Sequence, residues 1–110
     1  MKKIEVAFID KNLEKAFNNL KERKYEDEKL RKFILRAVED LKQNPECGIR
    51  IPKKLIPKEY LKKYKITNIW KYNLPDAWRL IYTITEDEIS IVSILIEWFK
   101  HKNYERRFSY

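Results

Sequence analysis

The segment Trp70-Lys-Tyr-Asn-Leu-Pro-Asp-Ala-Trp-Arg-Leu-Ile-Tyr-Thr-Ile84 decides the fold of this 110-residue chain. It holds two runs of strand composition, at 69–74 and 79–85, rich in aromatic and β-branched residues. Pro75-Asp76-Ala77 between them is typical of a tight turn, so the two runs predict a hairpin. An acidic turn at 85–88 then leads into the apolar run 89–98, which predicts a third strand. In the middle strand, Leu80 and Arg79 point to opposite faces of the sheet because side chains alternate along a strand.

The residues before this segment predict a strand and two helices. Residues 4–9 have strand composition, and Asp10 can cap a helix over 11–23, whose apolar residues recur at helical spacing. A second helix follows, with acidic residues in its first turn and a stop at Asn44-Pro45. Its apolar residues form one stripe, at Leu30, Phe33, Ile34, Ala37, Val38 and Leu41.

The resulting element order is β-α-α-loop-β-β-β. It predicts a single α+β domain over residues 1–110, in which two N-terminal amphipathic helices pack on a twisted, mainly antiparallel four-stranded sheet. If the helices cover the face that carries Leu80, then Arg79 opens onto the uncovered face.

The net charge and the composition of the chain limit the classes of function that are possible. The net charge is +8 with a pI near 9.5, which favours a polyanion or an acidic protein as partner. The alternative is a lysine-rich surface without a specific partner. One cysteine, Cys47, and one histidine, His101, exclude an internal disulfide and a zinc site. No apolar run approaches the ~20 residues of a membrane span, and charge interrupts the N-terminus too early for a signal peptide. We therefore expect a cytoplasmic protein without a metal or cofactor.

The connector at 45–69 is rich in proline and lysine and predicts a mostly irregular segment. Pro57 and the seven residues after it predict one short helix. Lysines such as Lys53 and Lys54 outnumber acids here, so the connector either is simply solvated or holds phosphates without reading sequence.

Arg79 and His101 are the residues best suited to chemistry on a phosphodiester. RNA cleavage through the 2′-hydroxyl needs a base, positive charge on the phosphorane, and a proton for the 5′-oxygen. Arginine binds two phosphate oxygens with its planar fork, and histidine ordinarily titrates near neutral pH. One histidine cannot serve both proton transfers, and the spacing selects no single second group from Tyr104, Tyr110, Lys102 and Glu46. The structural alternatives are a surface histidine, an Arg79 ion pair with Asp76 or Glu97, and packing roles for Trp98, Phe99, Tyr104 and Phe108.

The strand Arg79-Leu-Ile-Tyr82, followed by an apolar strand and a His101-Lys-Asn-Tyr104 cluster, resembles the RelE/ParE superfamily of toxins from type II toxin–antitoxin pairs. The RelE-like and YoeB-like members cleave mRNA in the ribosomal A site. The resemblance implies that Arg79 stabilises the phosphate and that His101, Lys102 and Tyr104 match the family's C-terminal cluster. Lys71 lies in the strand that carries paired lysines in RelE, and Asn73 occupies the second position here.

The sequence thus predicts a toxin that is a metal-independent mRNA endoribonuclease. Arg79, His101, Tyr104 and Lys102 would be catalytic. The phosphate-holding residues would be Lys71, Lys53, Lys54, Arg106 and Arg107. The expected partners are a cognate antitoxin protein and mRNA in the ribosomal A site, and no membrane is expected. The alternatives are a ParE-like gyrase inhibitor and a catalytically inactive module of the same fold that binds RNA or a partner.

Overall fold

The computed structural model describes residues 2–20 and 25–108, without the side chains of residues 105 and 107. The helices are α1 (Lys11–Asn19), α2 (Tyr25–Gln43), α3 (Lys58–Tyr64) and α4 (His101–Phe108). The strands are β1 (Lys3–Phe8), β2 (Ile49–Arg50), β3 (Trp70–Asn73), β4 (Trp78–Glu86) and β5 (Ser90–Lys100). Two short 3-10 turns, Pro45–Cys47 and Lys53–Leu55, flank β2.

Within the described residues, the strands form one five-stranded sheet in the order β1-β5-β4-β3-β2. β1 runs parallel to β5, with Lys3 opposite Ser90, and the other three pairings are antiparallel. The α+β class and the mainly antiparallel sheet are confirmed. The strand count of four was wrong, because two residues of the basic connector pair with Lys71 and Trp70 as β2.

The two N-terminal helices pack on one face of the sheet, as predicted. Asp10 caps α1 by accepting a 2.8 Å hydrogen bond from the backbone N–H of Leu13. α1 ends at Asn19, and most of the last predicted turn lies outside the described residues. The first hydrophobic core lies between these helices and the sheet and contains Phe17, Leu30, Ile34, Ala37, Leu41, Trp70, Leu74, Leu80, Tyr82 and Leu95.

The opposite face of the sheet carries a second hydrophobic core, so the expectation that this face is uncovered was wrong. The basic connector and α4 fold across it. The core contains Ile51, Ile56, Tyr60, Ile69, Ile81, Ile96, Phe99, Tyr104 and Phe108. α3 begins directly after Pro57, as predicted. α4 was not predicted, although Tyr104 and Phe108 are four residues apart and therefore share one helix face. Burying each of these rings contributes about 1.5–3 kcal/mol to stability.

The hairpin between β3 and β4 closes through a strained turn. Asp76 and Ala77 have φ angles of 59° and 64°, in the left-handed region. The backbone N–H of Trp78 donates to the carbonyl of Pro75 at 3.4 Å, which is the geometry of a type I′ turn. Such turns match the twist of the flanking strands and favour Asn-Gly or Asp-Gly, so Ala77 sits where glycine is preferred.

None of the helices in the described ranges is long and apolar enough to cross a lipid bilayer.

Candidate functional site

The sheet register brings Arg79 and His101 to the same end of the same face. Arg79 lies opposite Phe99 in the β4–β5 ladder, and Phe99 belongs to the second core. Opposed residues in an antiparallel pair project to the same face, so Arg79 also leaves the sheet on the second-core side. His101 follows Phe99 by two residues, and its backbone N–H donates to the carbonyl of Ala77 at 2.6 Å. The hairpin turn therefore fixes the start of α4 next to the start of β4.

Both side chains are half-buried at the rim of the second core. The His101 ring stacks on Tyr104, with centroids 6.0 Å apart and an interplanar angle of 22°. The Arg79 Nη1 donates to the carbonyl of Trp78 at 2.9 Å. Its Nε is buried and makes no hydrogen bond within the described part of the chain. Of the acids considered for pairing with Arg79, Asp76 forms an ion pair with Lys29 at 3.0 Å, and Glu97 accepts a hydrogen bond from the Tyr60 hydroxyl.

Lys71 joins this group from the neighbouring strand β3. It lies opposite Ile81, and its Nζ sits 4.6 Å from the centroid of the Tyr104 ring. That distance is a close cation–π contact, and the ring therefore helps to hold the ammonium group on this face. Asn73, two residues further along β3, lies directly opposite Arg79.

Tyr104 is only 1% exposed, and Phe99 and Phe108 are also buried. Their packing roles, which the sequence left as alternatives to base stacking, are therefore observed. A covered ring offers no face to a nucleobase. The Tyr104 ring instead connects His101 on one side with Phe108 on the other, at a centroid distance of 4.6 Å.

The remaining predicted residues surround this group. Lys102 and Arg106 are exposed on α4. Lys53 and Lys54 are exposed on the connector that covers the same face. The side chain of Arg107 and the whole of Tyr110 lie outside the part of the chain that the structure describes. Glu46 is exposed in the 3-10 turn Pro45–Cys47, which follows α2 on the first-core side of the sheet.

Tyr82 is a structural residue of the first core, and the sequence did not predict the contacts of its hydroxyl. Its hydroxyl is fully buried, donates to the carbonyl of Pro45 at 2.7 Å and accepts from the backbone N–H of Gly48 at 3.1 Å. A Cβ on Gly48 would lie 2.5 Å from that hydroxyl and 2.6 Å from the Lys71 carbonyl, so glycine is required at this close approach. The one signal in the sequence for this close approach was that Gly48 is the only glycine of the chain.

An open cavity of about 480 Å³ lies between α2, the turn at 45–49 and β3. At its edge the Tyr72 hydroxyl donates to the Asp40 carboxylate. Burial, and then this hydrogen bond, raise the pKa of Tyr72 to about 12. The same bond lowers the pKa of Asp40. Burial raises the pKa of the Cys47 thiol.

Taken together, a guanidinium, an imidazole and an ammonium group lie on the second face, the last two against the Tyr104 ring. Such a group can bind a phosphodiester and move a proton at its oxygens. The described residues contain no cluster of three or more His, Cys, Asp or Glu side chains suited to a metal ion.

Comparison with known proteins gives one family. The model of the ParE toxin of the type II toxin–antitoxin system parDE matches residues 9–97. This range includes Arg79 and Lys71 and ends before α4. Comparison with curated proteins and with solved structures gave no match. The match covers most of the chain and confirms the resemblance to RelE/ParE toxins, and the chain therefore belongs to the ParE toxin family of type II toxin–antitoxin systems.

Proposed function

We propose that this toxin is an endoribonuclease that cleaves mRNA in the ribosomal A site by attack of a 2′-hydroxyl on the adjacent phosphate. The observation that carries the proposal is the shared position of Arg79 and His101 at one end of one face. The chain segments that hold the two residues are far apart in sequence, and the sheet register and the Ala77 carbonyl bring them together.

The proposed reaction needs only groups of the chain and the RNA. The 2′-hydroxyl loses its proton to a base, its oxygen bonds to phosphorus, and the bond from phosphorus to the 5′-oxygen breaks while that oxygen gains a proton. Arg79 stabilises the negative charge that develops on the phosphorane. His101 carries one of the two proton transfers.

The residues around this pair supply binding and positioning. Lys71 and the exposed Lys102 hold flanking phosphates as point charges. Tyr104 acts as a positioning residue, because its buried ring contacts both the imidazole and the Lys71 ammonium group. The second proton-transfer group is not assigned to any one of the predicted candidates.

Arg79→Ala tests the proposal in a translation extract, with new mRNA ends mapped by primer extension. Loss of one transition-state donor costs about 10²–10³-fold in rate, and Arg79→Lys should recover only part of it. Arg36→Ala is the matched control, since Arg36 is an exposed arginine on α2, whose core-facing side packs on the other sheet face. Unchanged cleavage by a folded Arg79→Ala protein would refute the assignment.

A second candidate function is inhibition of DNA gyrase, and the family match favours it. The matching range ends before α4, so it does not depend on His101, Lys102 or Tyr104. A supercoiling assay with purified gyrase separates the two candidates. Inhibition of supercoiling with mRNA left intact would support the gyrase hypothesis. Unchanged supercoiling together with new RNA ends would support the nuclease hypothesis. Full expression without growth arrest would instead indicate an inactive binding module.

Family membership implies a cognate antitoxin as partner. The net charge of +8 favours an acidic antitoxin segment electrostatically. We expect the two proteins to co-purify in a complex that weakens as salt is raised.

A further inference from the structure

Most of the net charge of the protein lies on one short segment. Residues 50–65 hold seven cations, Arg50, Lys53, Lys54, Lys58, Lys62, Lys63 and Lys65, against one acid, Glu59. Seven minus one gives +6 of the total +8. We call the surface formed by these seven cations the connector surface.

The connector surface is exposed and its charges are not neutralised by neighbours. All seven cations are exposed, and none forms an ion pair with any residue in the described ranges. The Arg50 guanidinium lies 5.9 Å from the Trp70 ring centroid, and the Lys63 ammonium lies 5.3 Å from that of Tyr64. Like charges at this density repel one another, so a bound polyanion would relieve that repulsion.

The helix α3 directs part of this charge towards solvent. Lys58 and Lys62 are four residues apart and lie on one side of the helix, and Lys65 follows as the left-handed residue that ends it. Tyr60 and Tyr64 lie on the opposite side and pack against the second core. The packing of the two tyrosines therefore holds Lys58 and Lys62 outward.

The connector surface borders the candidate site. The Tyr60 ring lies 5.9 Å from the Phe108 ring, so α3 and α4 are neighbours on the second face. α4 adds the exposed cations Lys102 and Arg106. Basic side chains thus extend from the His101 end of the face across to α3.

The chemistry of the surface favours a nucleic-acid backbone over an acidic protein. The large apolar side chains exposed beside these cations are Leu61 on α3 and Ile49 on β2, 42% and 50% exposed, and they lie on separate elements. Protein partners are held chiefly by clustered apolar anchors. No tyrosine of α3 is exposed enough to stack a base, whereas single-strand binding depends on such stacking. Phosphate contacts alone suit a duplex, whose charge is dense and regular.

We infer that the connector surface binds the phosphate backbone of duplex segments of RNA without sequence preference, outside the site that cleaves. The choice of RNA over DNA rests on the proposed function. The surface would hold the toxin on a structured RNA while Arg79 and His101 act on a single strand.

The test is fluorescence anisotropy with a 20-base-pair RNA duplex at several KCl concentrations. The Arg79→Ala background prevents cleavage, and the added variant is Lys58→Gln/Lys62→Gln/Lys65→Gln. The matched control is Lys11→Gln/Lys15→Gln/Lys32→Gln, three exposed lysines of α1 and α2 that lower the net charge equally. Melting temperatures check that both triple variants are folded.

We expect the connector triple to weaken duplex binding at least tenfold and to reduce the salt slope by about 2 to 3, with the control triple close to the parent. Equal losses in both triples, or binding within twofold of the parent, would overturn the inference. Tenfold tighter binding of a DNA duplex would overturn the choice of RNA, and stronger competition by polyglutamate would assign the surface to an acidic protein. Cleavage that persists in Arg79→Ala would refute the proposed function, and the binding comparison would stand separately.

Discussion

Tyr82→Phe removes one hydroxyl from the centre of β4 and keeps the ring. The ring continues to pack beside Trp70, with centroids 6.1 Å apart, so no large cavity forms. The lost hydroxyl leaves the Pro45 carbonyl and the Gly48 N–H without their partner. A typical hydrogen bond contributes about 1 kcal/mol net, and a buried group left unsatisfied costs about 1–3 kcal/mol. Since Gly48 is only half-buried and water can reach it, we expect a loss of about 2 kcal/mol.

Urea denaturation and thermal melting measure this loss. An unfolding entropy of about 2.1 cal/mol/K per residue converts 2 kcal/mol into a drop in Tm of about 9 °C for a chain of this length. The urea midpoint should fall by about 1 M with an unchanged m-value. Tyr25→Phe is the control, because Tyr25 is 75% exposed and its loss should change stability very little.

The same variant has a local consequence at Cys47. The 3-10 turn Pro45–Cys47 loses its ties to β4, so burial of the thiol should decrease and its pKa should move down towards the ordinary value. Reaction with a disulfide reagent at pH 8 should therefore accelerate relative to Tyr25→Phe. A stability loss below about 0.5 kcal/mol together with an unchanged thiol rate would refute the role assigned to the hydroxyl.

Three further substitutions test individual features. Ala77→Gly should stabilise the fold by about 0.5–1 kcal/mol, because a left-handed alanine costs about 1–2 kcal/mol and the flexibility of glycine offsets part of this gain. A fall in Tm would contradict the strain described at that turn. Ser93→Ala should raise the free energy of unfolding by about 1 kcal/mol, since the buried Ser93 hydroxyl makes no hydrogen bond within the described residues, and a loss measured in urea would show that it has a partner. Tyr72→Phe should remove a phenol that ionises at about pH 12 from the titration followed at 295 nm. The pKa of Tyr72 is raised by folding, so its contribution to stability is full below pH 10 and is lost as the pH rises through about 12. The acid side has the opposite sign, because the same hydrogen bond lowers the pKa of Asp40. The contribution of Asp40 to stability is therefore lost as the pH falls below 3.8, the ordinary pKa of the carboxyl group. An unchanged acid unfolding transition in Tyr72→Phe would contradict this coupling.

Patterns among neighbouring residues were enough to predict α2 and the β3–β4 hairpin. The α2 stripe, its acidic first turn and its stop before Pro45 place that helix almost to the residue. The β3 and β4 strands and the turn at 75–77 follow equally from composition and turn chemistry. In each case the signal lies within about twenty neighbouring residues.

The second core was missed because its members come from distant parts of the chain. Ile51 and Ile56 each precede a proline in a lysine-rich segment, where no period of two or 3.6 is visible. Only the folded sheet brings them to Ile81 and Phe99. The high charge of the connector predicted an irregular solvated segment, whereas its few apolar side chains are enough to cover one face of the sheet.

The sequence named the residues of the candidate site but not how the fold arranges them. Arg79 lies opposite Phe99, and the His101 N–H donates to the carbonyl of Ala77, so both residues lie at the same end of the sheet, while their roles in chemistry stay a prediction. Tyr104 packs against His101 inside the second core, because a helix begins at His101 and turns that ring inward. The start of α4 depends on the Ala77 carbonyl, which belongs to a turn 24 residues earlier in the chain.

The parallel pairing of β1 with β5 has a consequence for synthesis of the toxin. β1 leaves the ribosome well before β5, its neighbour within the described part of the sheet, which begins at Ser90, 87 residues after Lys3. A contact between such distant residues is slow to form because a long loop must close first. The nascent toxin therefore stays incompletely folded until β5 has been synthesised, and a cognate antitoxin can bind it during that interval.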